Sequence, residues 1–438
     1  MQRQLCRVVA AAIVLTLAAR AVHSQGRSPA LTLPALYRAV DSASPTIRSA
    51  EARARAAEAR IPAAGRLPEP SVQLQLMNRN LPGLGLNDPL GMNQVQLTQM
   101  IPLGGKLGAA TSVATSRANA ARASVSESAW SRRANAAMAF FEVHRLDATL
   151  AITGETLRLL DGISTSVTQM YAVGEARQAD VLRAQLETNR MRGEVEEMQR
   201  MRAMMGARLN ALLDRPSTDS IGITELPALP ARPPSVDSLL ALAWASRGML
   251  RAAAADVRAA TASEGLAHRE IWPDLEVGVI YGQRGMADGS TDRMVSLMLG
   301  ASVPIWARSR QLQMRNEAAA MREVADADLA SLRAETRGRI AELLAQLDGI
   351  ARLRTLYIQS ILPQANATAT SARNAYQAGT VDFMTMFDAL MVGNSYREKL
   401  EQLDAQAGTA FAELEMLTGT PLMPGNPDVQ QSMNGGSR

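Results

Sequence analysis

The sequence contains one structural plan twice, and this duplication limits the possible folds more than any other feature. The segments that begin at Tyr171 and Tyr376 share a glycine three residues later and further matching positions, all 205 residues apart. Two more landmarks, a proline before one alternating segment and a proline at the end of the next, recur 203 and 202 residues apart. Three landmarks in the same order indicate a structural repeat. The proline pairs are Pro70 with Pro273 and Pro102 with Pro304.

Each copy is predicted to contain a helix, a strand, a loop, a strand, a very long helix, a tight turn and a second long helix. A proline-rich linker joins the copies, because proline interrupts both helix and sheet. The predicted segments are a signal peptide (1–24), a first copy (25–215) with strands at 70–78 and 93–102 and a turn near 174, the linker (216–235), a second copy (236–420) with strands at 273–283 and 294–304 and a turn near 379, and a disordered tail (421–438). The first helices are predicted near 32–64 and 236–269.

The N-terminus has the parts of a secretory signal peptide. Arg3 and Arg7 are basic, residues 8–19 are apolar but too few to span a bilayer, and small residues precede a cleavage point before Gln25. Cys6 is the single cysteine and lies ahead of the apolar stretch, so cleavage leaves no cysteine for a lipid or a disulfide. We therefore expect an exported protein that is not a lipoprotein; the alternative is an N-terminal helix of the mature chain.

Charge and composition exclude several classes of protein. The net charge of +4 includes three arginines of the signal peptide, so the mature chain carries 4 − 3 = +1. Charges of both signs are mixed along the chain, which argues against a nucleic-acid partner. Apolar residues make up 47% of the chain but aromatic residues only 3%. This balance favours long helices over compact globular cores, which depend on aromatic side chains.

Four segments of about ten residues alternate between apolar and other residues. Period two places one set on each face of a strand, and ten residues can cross a bilayer as a tilted strand. Trp272 opens the third strand and Trp306 follows the fourth, so a hairpin places both at one end, as expected at a membrane interface. Four strands cannot close a barrel, so a membrane location requires several copies; three would give twelve strands. The alternative is a soluble antiparallel sheet with one wet face.

The predicted helices are too long for a globular domain. The stretch between Gly105 and Tyr171 contains no proline and would reach roughly 100 Å as a helix, whereas Pro363 predicts a kink in the second copy. Apolar residues recur at 4-3 spacing, for example through Phe141 and His144, which is typical of coiled-coil seams. The same seams occur in a solid rod of helices and in a hollow cylinder of helices, so both arrangements fit the spacing. At the turns, Gly174 and Gly379 can adopt the left-handed conformation that ends a helix, and residues such as Asp382 can cap the next one.

These features together resemble the TolC-like outer-membrane efflux proteins over nearly the whole mature length. The resemblance lies in the duplicated Y-x-x-G turn, the two strand pairs and the segment ILPQANATATSARNAYQAGTVDFMTMFDA. Within that family, RLPEPSVQLQL, QMIPLGGKLGAA and VPIWARSRQLQMRNEA are similar to the branch that serves heavy-metal cation pumps (cobalt–zinc–cadmium and copper–silver resistance). The resemblance implies a homotrimer with a twelve-stranded β-barrel in outer-membrane lipid, continued by an α-helical coiled-coil tunnel through the periplasm. The inner end of the tunnel would dock a periplasmic adaptor protein and, through it, an inner-membrane pump of the resistance-nodulation-division (RND) type.

The resemblance also implies a pore constriction. In the family, two acidic positions follow the second tip glycine by six and nine residues; here they are Thr385 and Asp388, so one carboxylate is kept. Three copies of Asp388 would concentrate a negative field and attract cations, whereas the alternative is a solvated helix residue. The equivalent positions of the first hairpin are Asp180 and Arg183. An Asp180–Arg183 contact, or an Arg–Asp contact between protomers, would latch the closed state.

No pattern of an enzyme or of a metal site is present, so we expect no catalytic residue, no metal ligand and no cofactor. His144 and His268 stand apart from any cysteine. Methionine sulfur suits Cu(I), but methionine also fills helix seams, and we favour packing for Met191, Met198, Met201, Met205, Met384 and Met386. The predicted function is a passive exit duct for metal cations or drugs. The alternatives are a soluble periplasmic coiled-coil scaffold or adaptor, and the same duct serving protein secretion.

Overall fold

The computed structural model describes residues 30–78, 91–230, 232–286, 288 and 290–423. The predicted signal peptide and all but residues 421–423 of the predicted tail lie outside the described residues, as does most of the first strand-pair loop. The described part is mainly helical with a smaller strand portion, which confirms the predicted mainly helical class. None of the helices within these ranges has both the length and the apolar character needed to cross a membrane.

Helices and strand pairs alternate in both copies of the repeat. In chain order the elements are β1 (Leu31–Thr32), α1 (Leu33–Ala43), α2 (Pro45–Ala64), β2 (Ser71–Met77), β3 (Met92–Pro102), α3 (Lys106–Ala172), α4 (Gln178–Leu212), β4 (Thr224–Glu225), α5 (Val236–Ser246), α6 (Gly248–Arg269), β5 (Asp274–Gly285), β6 (Thr291–Ala301), α7 (Gln311–Leu356), a π-helical turn (Tyr357–Ile361), α8 (Leu362–Gln377) and α9 (Phe383–Thr418).

The first helix of each copy is broken, whereas the sequence predicts one continuous helix near 32–64 and one near 236–269. In the first copy the chain is extended at Ser44, because the residue before Pro45 is driven out of the helical conformation. In the second copy Arg247 is extended and Gly248 begins the next helix. A Cβ atom at Gly248 would lie 2.5 Å from the Glu127 backbone nitrogen, so only glycine allows this close approach of α6 to α3.

The predicted kink at Pro363 is a π-helical turn that ends two residues before the proline. The Leu362 backbone N–H donates to the Tyr357 carbonyl, five residues back, instead of four. Proline has no N–H to continue the normal pattern, so the extra residue is absorbed just ahead of it.

The chain divides into two compact units. The sheet unit comprises residues 46–128 and 239–339, and the hairpin unit comprises the described parts of 30–45, 129–238 and 340–423. The hairpin unit buries Phe140 and Phe141 in its core, where the Phe141 ring occupies the space beside Gly408. The segment that follows α9 is held by the buried carboxylate of Glu415, which accepts hydrogen bonds from Tyr37 Oη at 3.2 Å and from the Met423 backbone at 2.8 Å.

The sheet unit contains an antiparallel sheet in the order β2-β3-β5-β6, so the strand pairs of the two copies join through β3 and β5. β6 covers residues 291–301 and not 294–304 as predicted. Pro304 has no N–H to donate to β5, and the chain turns there, with the Ala307 backbone N–H donating to the Pro304 carbonyl at 3.1 Å. Polar contacts link the unit's helices in the matching order α2-α3-α6-α7. They are Arg122 with Glu58 at 2.5 Å, the Met249 backbone N–H with Glu127 at 2.9 Å, and Arg322 with Glu264 at 3.1 Å.

Candidate functional site

One face of the four-stranded sheet is apolar and exposed in the middle of the strands. Its residues stand opposite one another across all four strands, so they form two continuous rows. Each of these side chains is between 43% and 73% exposed. A soluble chain rarely exposes a contiguous apolar patch of this size. The rows of this apolar sheet face are Val72, Leu97, Val279 and Leu297, and Leu74, Val95, Tyr281 and Val295.

The opposite face has a different chemistry. Glutamine, serine, threonine and glycine dominate it, with a few methionines and Ile280. The side-chain amide of Gln96 donates to Thr98 Oγ1 at 3.0 Å, so neighbouring polar groups satisfy one another along the strand. The three rows of this polar sheet face are Ser71, Thr98, Gly278 and Met298; Gln73, Gln96, Ile280 and Ser296; and Gln75, Gln94, Gly282 and Met294.

The two predicted interface tryptophans lie at the same end of the sheet, where the strands meet the helices. Trp272 is 57% and Trp306 is 72% exposed, and both line one cavity with Lys106 at its floor. Lys106 is buried and its ammonium lies 2.8 Å from a carboxylate oxygen of Asp274. Lys106 is not among the residues predicted from the sequence; the signal that points to it is a cation at the first position of α3, shortly after the end of β3. The interface role of the tryptophans stays a prediction.

The two hairpin tips have the same hydrogen bonds 205 residues apart. In each, the glycine donates its backbone N–H to the carbonyl of the tyrosine three residues earlier: Gly174 to Tyr171, and Gly379 to Tyr376, both at 3.0 Å. Both glycines have positive φ, +83° and +71°, which L side chains rarely adopt. The duplicated Y-x-x-G segments therefore form equivalent turns.

The helix starts that follow the tips are not equivalent. Asp382 caps α9, and one of its carboxylate oxygens accepts from the Thr385 backbone at 2.9 Å and from Thr385 Oγ1 at 2.6 Å. These hydrogen bonds, together with the nearby Arg183 guanidinium, lower the pKa of Asp382. Arg177, the residue before α4, makes no side-chain cap. The helix start of the second hairpin is therefore capped by a carboxylate, whereas that of the first hairpin has no side-chain cap.

Six of the predicted tip and pore residues form three pairs, two of them electrostatic and one on a shared face of α9. The Arg183 guanidinium helps to lower the pKa of Asp382. Burial, and to a smaller extent the Asp180 carboxylate, raise the pKa of Tyr376. Thr385 and Asp388 are exposed one turn apart on α9. The predicted Asp180–Arg183 or interprotomer latch, and the pore role of Asp388, stay predictions.

The opposite side of α9 packs into a hydrophobic tip core with α3 and α4. The ring of Phe383 stacks on that of Phe387 at 5.9 Å and meets Tyr376 edge-on at 6.3 Å. The core fixes which face of α9 is left for Thr385 and Asp388. Its buried members are Leu160, Ala184, Met191, Phe383, Met386 and Phe387.

Several of the methionines that invite a metal interpretation, and His144, have other contacts. Met191 and Met386 are fully buried in the tip core, and Met198 sulfur accepts from Thr153 Oγ1 at 3.6 Å. His144 Nδ1 lies 3.1 Å from Thr224 Oγ1. Among the residues that the structure describes, no group of three His, Cys, Asp or Glu side chains could hold a metal ion.

The sequence matches the outer membrane efflux protein family over residues 36–214 and 239–420. The fold is similar to VceC of Vibrio cholerae (TM-score 0.75, 19% identity, 89% of this chain and 96% of that chain). It is also similar to the open MtrE outer-membrane channel of Neisseria gonorrhoeae (0.73, 16%, 89% and 90%) and to the CmeC outer-membrane channel of Campylobacter jejuni (0.73, 13%, 95% and 94%). At these identities the structural likeness shows the fold alone. None of the curated proteins compared is significantly similar in sequence.

Proposed function

Because the chain belongs to the outer membrane efflux protein family, we propose that it forms the outer-membrane exit duct of an efflux system and catalyses no reaction. The observation that carries this proposal is the surface and the open edges of the four-stranded sheet β2-β3-β5-β6. It exposes a continuous apolar face, and its described strands leave both outer edges, β2 and β6, without a partner. In water, a single chain would expose this apolar face. In lipid, it would leave the backbone groups of both outer strands without hydrogen bonds.

The apolar sheet face suits the interior of a bilayer. β3 has eleven residues, which extend for roughly 36 Å and rise roughly 28 Å when tilted by about 40°. That height matches the apolar band of outer-membrane barrels, about 25 Å. The tryptophans occur at one end of the sheet, where a membrane interface favours them.

The open edges require further copies of the same chain. Unpaired backbone groups cost several kcal/mol each in hydrocarbon, so a sheet in lipid must close on itself. Joining β6 of one copy to β2 of the next leaves every strand paired and turns the polar sheet face inward. Three copies give twelve strands, and the row α2-α3-α6-α7 continues each set of four as the wall of a helical tunnel.

The remaining parts of the proposal rest on the sequence resemblance. The hairpin tips would dock a periplasmic adaptor and, through it, an RND-type inner-membrane pump. The three segments quoted above favour the branch that exports heavy-metal cations, and multidrug export is the next choice. The duct would conduct passively, since tight ligand sites slow passage.

Asp388 tests the pore within this proposal. Three symmetry-related carboxylates at the tip would attract cations and narrow the passage. Asp388→Ala should therefore raise single-channel conductance in planar bilayers and weaken block by trivalent cations. Asp326→Ala, which removes another exposed carboxylate from α7, is the matched control. Equal conductance of Asp388→Ala and wild type would remove Asp388 from the pore.

The duct itself is tested by extraction and conductance of the wild-type protein. We expect a trimer that leaves cells only with detergent, changes its gel migration on heating and conducts ions in planar bilayers. Recovery as a water-soluble monomer in the periplasmic fraction would instead support the scaffold. Neighbouring transporter genes distinguish an efflux pump from a protein-secretion partner.

A further inference from the structure

The cavity between the two exposed tryptophans has a built polar interior. It measures about 310 Å³ and lies where α6 passes into β5 and β6 passes through a tight turn into α7. Lys106 forms its floor with a side chain only 9% exposed. Its ammonium lies 2.8 Å from Asp274 Oδ1 and 3.5 Å from Glu270 Oε2. Two carboxylates against one ammonium leave this junction cavity with one excess negative charge at the floor.

The lining of the junction cavity also carries a second positive charge. Arg310 is exposed and has no ion pair among the described residues. Next to it, Gln311 Oε1 is shielded from solvent and accepts no hydrogen bond in the described part of the chain. A shielded acceptor without a donor is costly unless a bound group supplies one. The lining of the cavity therefore combines an exposed cation, an acceptor without a donor, and the excess negative charge at the floor.

The surface around the opening is apolar. Val303 and Ile305 are 72% and 75% exposed and follow shortly after β6, whose Val295 and Leu297 belong to the apolar sheet face. Trp272 and Trp306 flank the same opening. Tryptophan beside an apolar surface and a charged cavity is the arrangement expected where lipid headgroups meet acyl chains.

We propose that the junction cavity binds the headgroup of a phospholipid that carries both a phosphate and a primary ammonium. The phosphate accepts hydrogen bonds from Arg310, and the ammonium donates to Gln311 Oε1 and Glu270. The acyl chains lie along Val303, Ile305 and the apolar sheet face. This assignment rests on the proposed membrane insertion and specifies which lipid the protein retains.

Charge complementarity favours this headgroup over the two other common ones. The charges of the four side chains Lys106, Arg310, Glu270 and Asp274 sum to zero, as do the charges of a zwitterion. Since Lys106 lies closer to Asp274 than to Glu270, Glu270 and Arg310 are left for a headgroup that carries both charges. A phosphoglycerol headgroup would leave the floor's negative charge uncompensated. A phosphocholine headgroup is zwitterionic, but its ammonium has no N–H and leaves Gln311 Oε1 without a donor.

Native mass spectrometry of the detergent-purified full-length protein tests the assignment. The protein is offered equal amounts of phosphatidylethanolamine, phosphatidylcholine and phosphatidylglycerol with identical acyl chains. We expect phosphatidylethanolamine to be retained about tenfold over phosphatidylcholine, the factor that one charge-assisted hydrogen bond supplies. Equal retention of the choline lipid, or preference for the glycerol lipid, would overturn the proposal. A further arm adds free glycerophosphoethanolamine, and effective competition by it would show a site for a soluble ligand instead of a lipid.

Two variants separate the headgroup contacts. Arg310→Gln should lower retention of the ethanolamine and glycerol lipids alike, whereas Gln311→Leu should lower only the ethanolamine-over-choline preference. Arg333→Gln, an exposed arginine farther along α7, is the matched control. If Arg310→Gln retains lipid as Arg333→Gln does, the phosphate contact is wrong. Conductance of the same wild-type preparation is read separately, so loss of the duct proposal and loss of the lipid proposal give different results.

Discussion

Replacing one residue of the apolar sheet face by lysine distinguishes lipid from water as its surroundings. Leu97 lies at the midpoint of β3, five residues from each end, between Val72 and Val279 on the neighbouring strands. It is 48% exposed, so lysine fits without displacing a core. On the lipid face of a barrel, lysine at the bilayer midplane costs about 2–4 kcal/mol. On a wet face, the same change should stay within about 0.5 kcal/mol.

The adjacent residue supplies the control. Gln96 is on the same central strand but on the polar sheet face, opposite Gln73 and Ile280. Gln96→Lys should therefore cost about 0.5 kcal/mol or less. Ile101→Lys adds a depth control, because Ile101 shares the face of Leu97 but stands next to the end of β3, where the penalty falls to about 0–1 kcal/mol.

The assay is guanidinium unfolding of the protein in phospholipid vesicles, followed by tryptophan fluorescence and heat-modifiable gel migration. The expected order of destabilisation is Leu97→Lys, then Ile101→Lys, then Gln96→Lys. A difference of about 1.4 kcal/mol between the first and the last is a tenfold change in the unfolding equilibrium. If Leu97→Lys is as mild as Gln96→Lys, the apolar sheet face is not in lipid, and the duct proposal loses its main support.

Two further predictions concern the hairpin unit. Gly408→Ala should lower the thermal midpoint by an amount equivalent to about 1–3 kcal/mol, because the new Cβ would overlap the Phe141 ring, whereas Gly349→Ala, with open space around it, should not destabilise. Burial, and then the nearby Glu194 carboxylate, raise the pKa of Glu398, so the folded state binds this proton more tightly than the unfolded chain and loses stability as pH rises past the unfolded value. Glu398→Gln should therefore stabilise the protein at pH 7.5 but not at pH 4, as compared by denaturant midpoints.

Period-two alternation predicts that four strands exist, because successive side chains of a strand point to two faces of opposite chemistry, but it places β6 three residues too far along the chain. It could not predict that β3 pairs with β5, because strand order depends on contacts between segments about 180 residues apart. The broken first helices show the same limit. Pro45 carries a local signal for the break at Ser44, whereas the break at Arg247 depends on how closely Gly248 approaches α3.

The coiled-coil seam through α3 shows why a strict 4-3 spacing fails over many turns. The predicted seam is buried at Phe141, but then leaves the core: His144 is only half-buried, whereas Val143 and Leu146 are fully buried. A straight helix has 3.6 residues per turn and drifts by about 20° per heptad from a 3.5-residue repeat. The buried stripe therefore moves to neighbouring positions unless the helix supercoils enough to cancel the drift.

At the tips, the sequence determines the turns more fully than the chemistry around them. The positive φ of Gly174 and Gly379 follows from the residue type, because other residues rarely adopt it. By contrast, the nearness of Arg183 to Asp382 joins two hairpins and is set by the packing of the tip core. No spacing within either hairpin encodes that contact.

The composition of the polar sheet face bears on how many copies close the proposed barrel. Since each copy supplies four strands, closure gives eight, twelve or more. Eight strands enclose an interior that side chains fill, which would leave no passage. Twelve is the next multiple, and its lumen stays open only where the inward residues are small. β5 and β6 place Gly278, Gly282 and Gly300 on this face, in register with polar residues of the neighbouring strands. These glycines widen the lumen beside the glutamines of the same face, which a conducting barrel needs and a solid eight-stranded one does not.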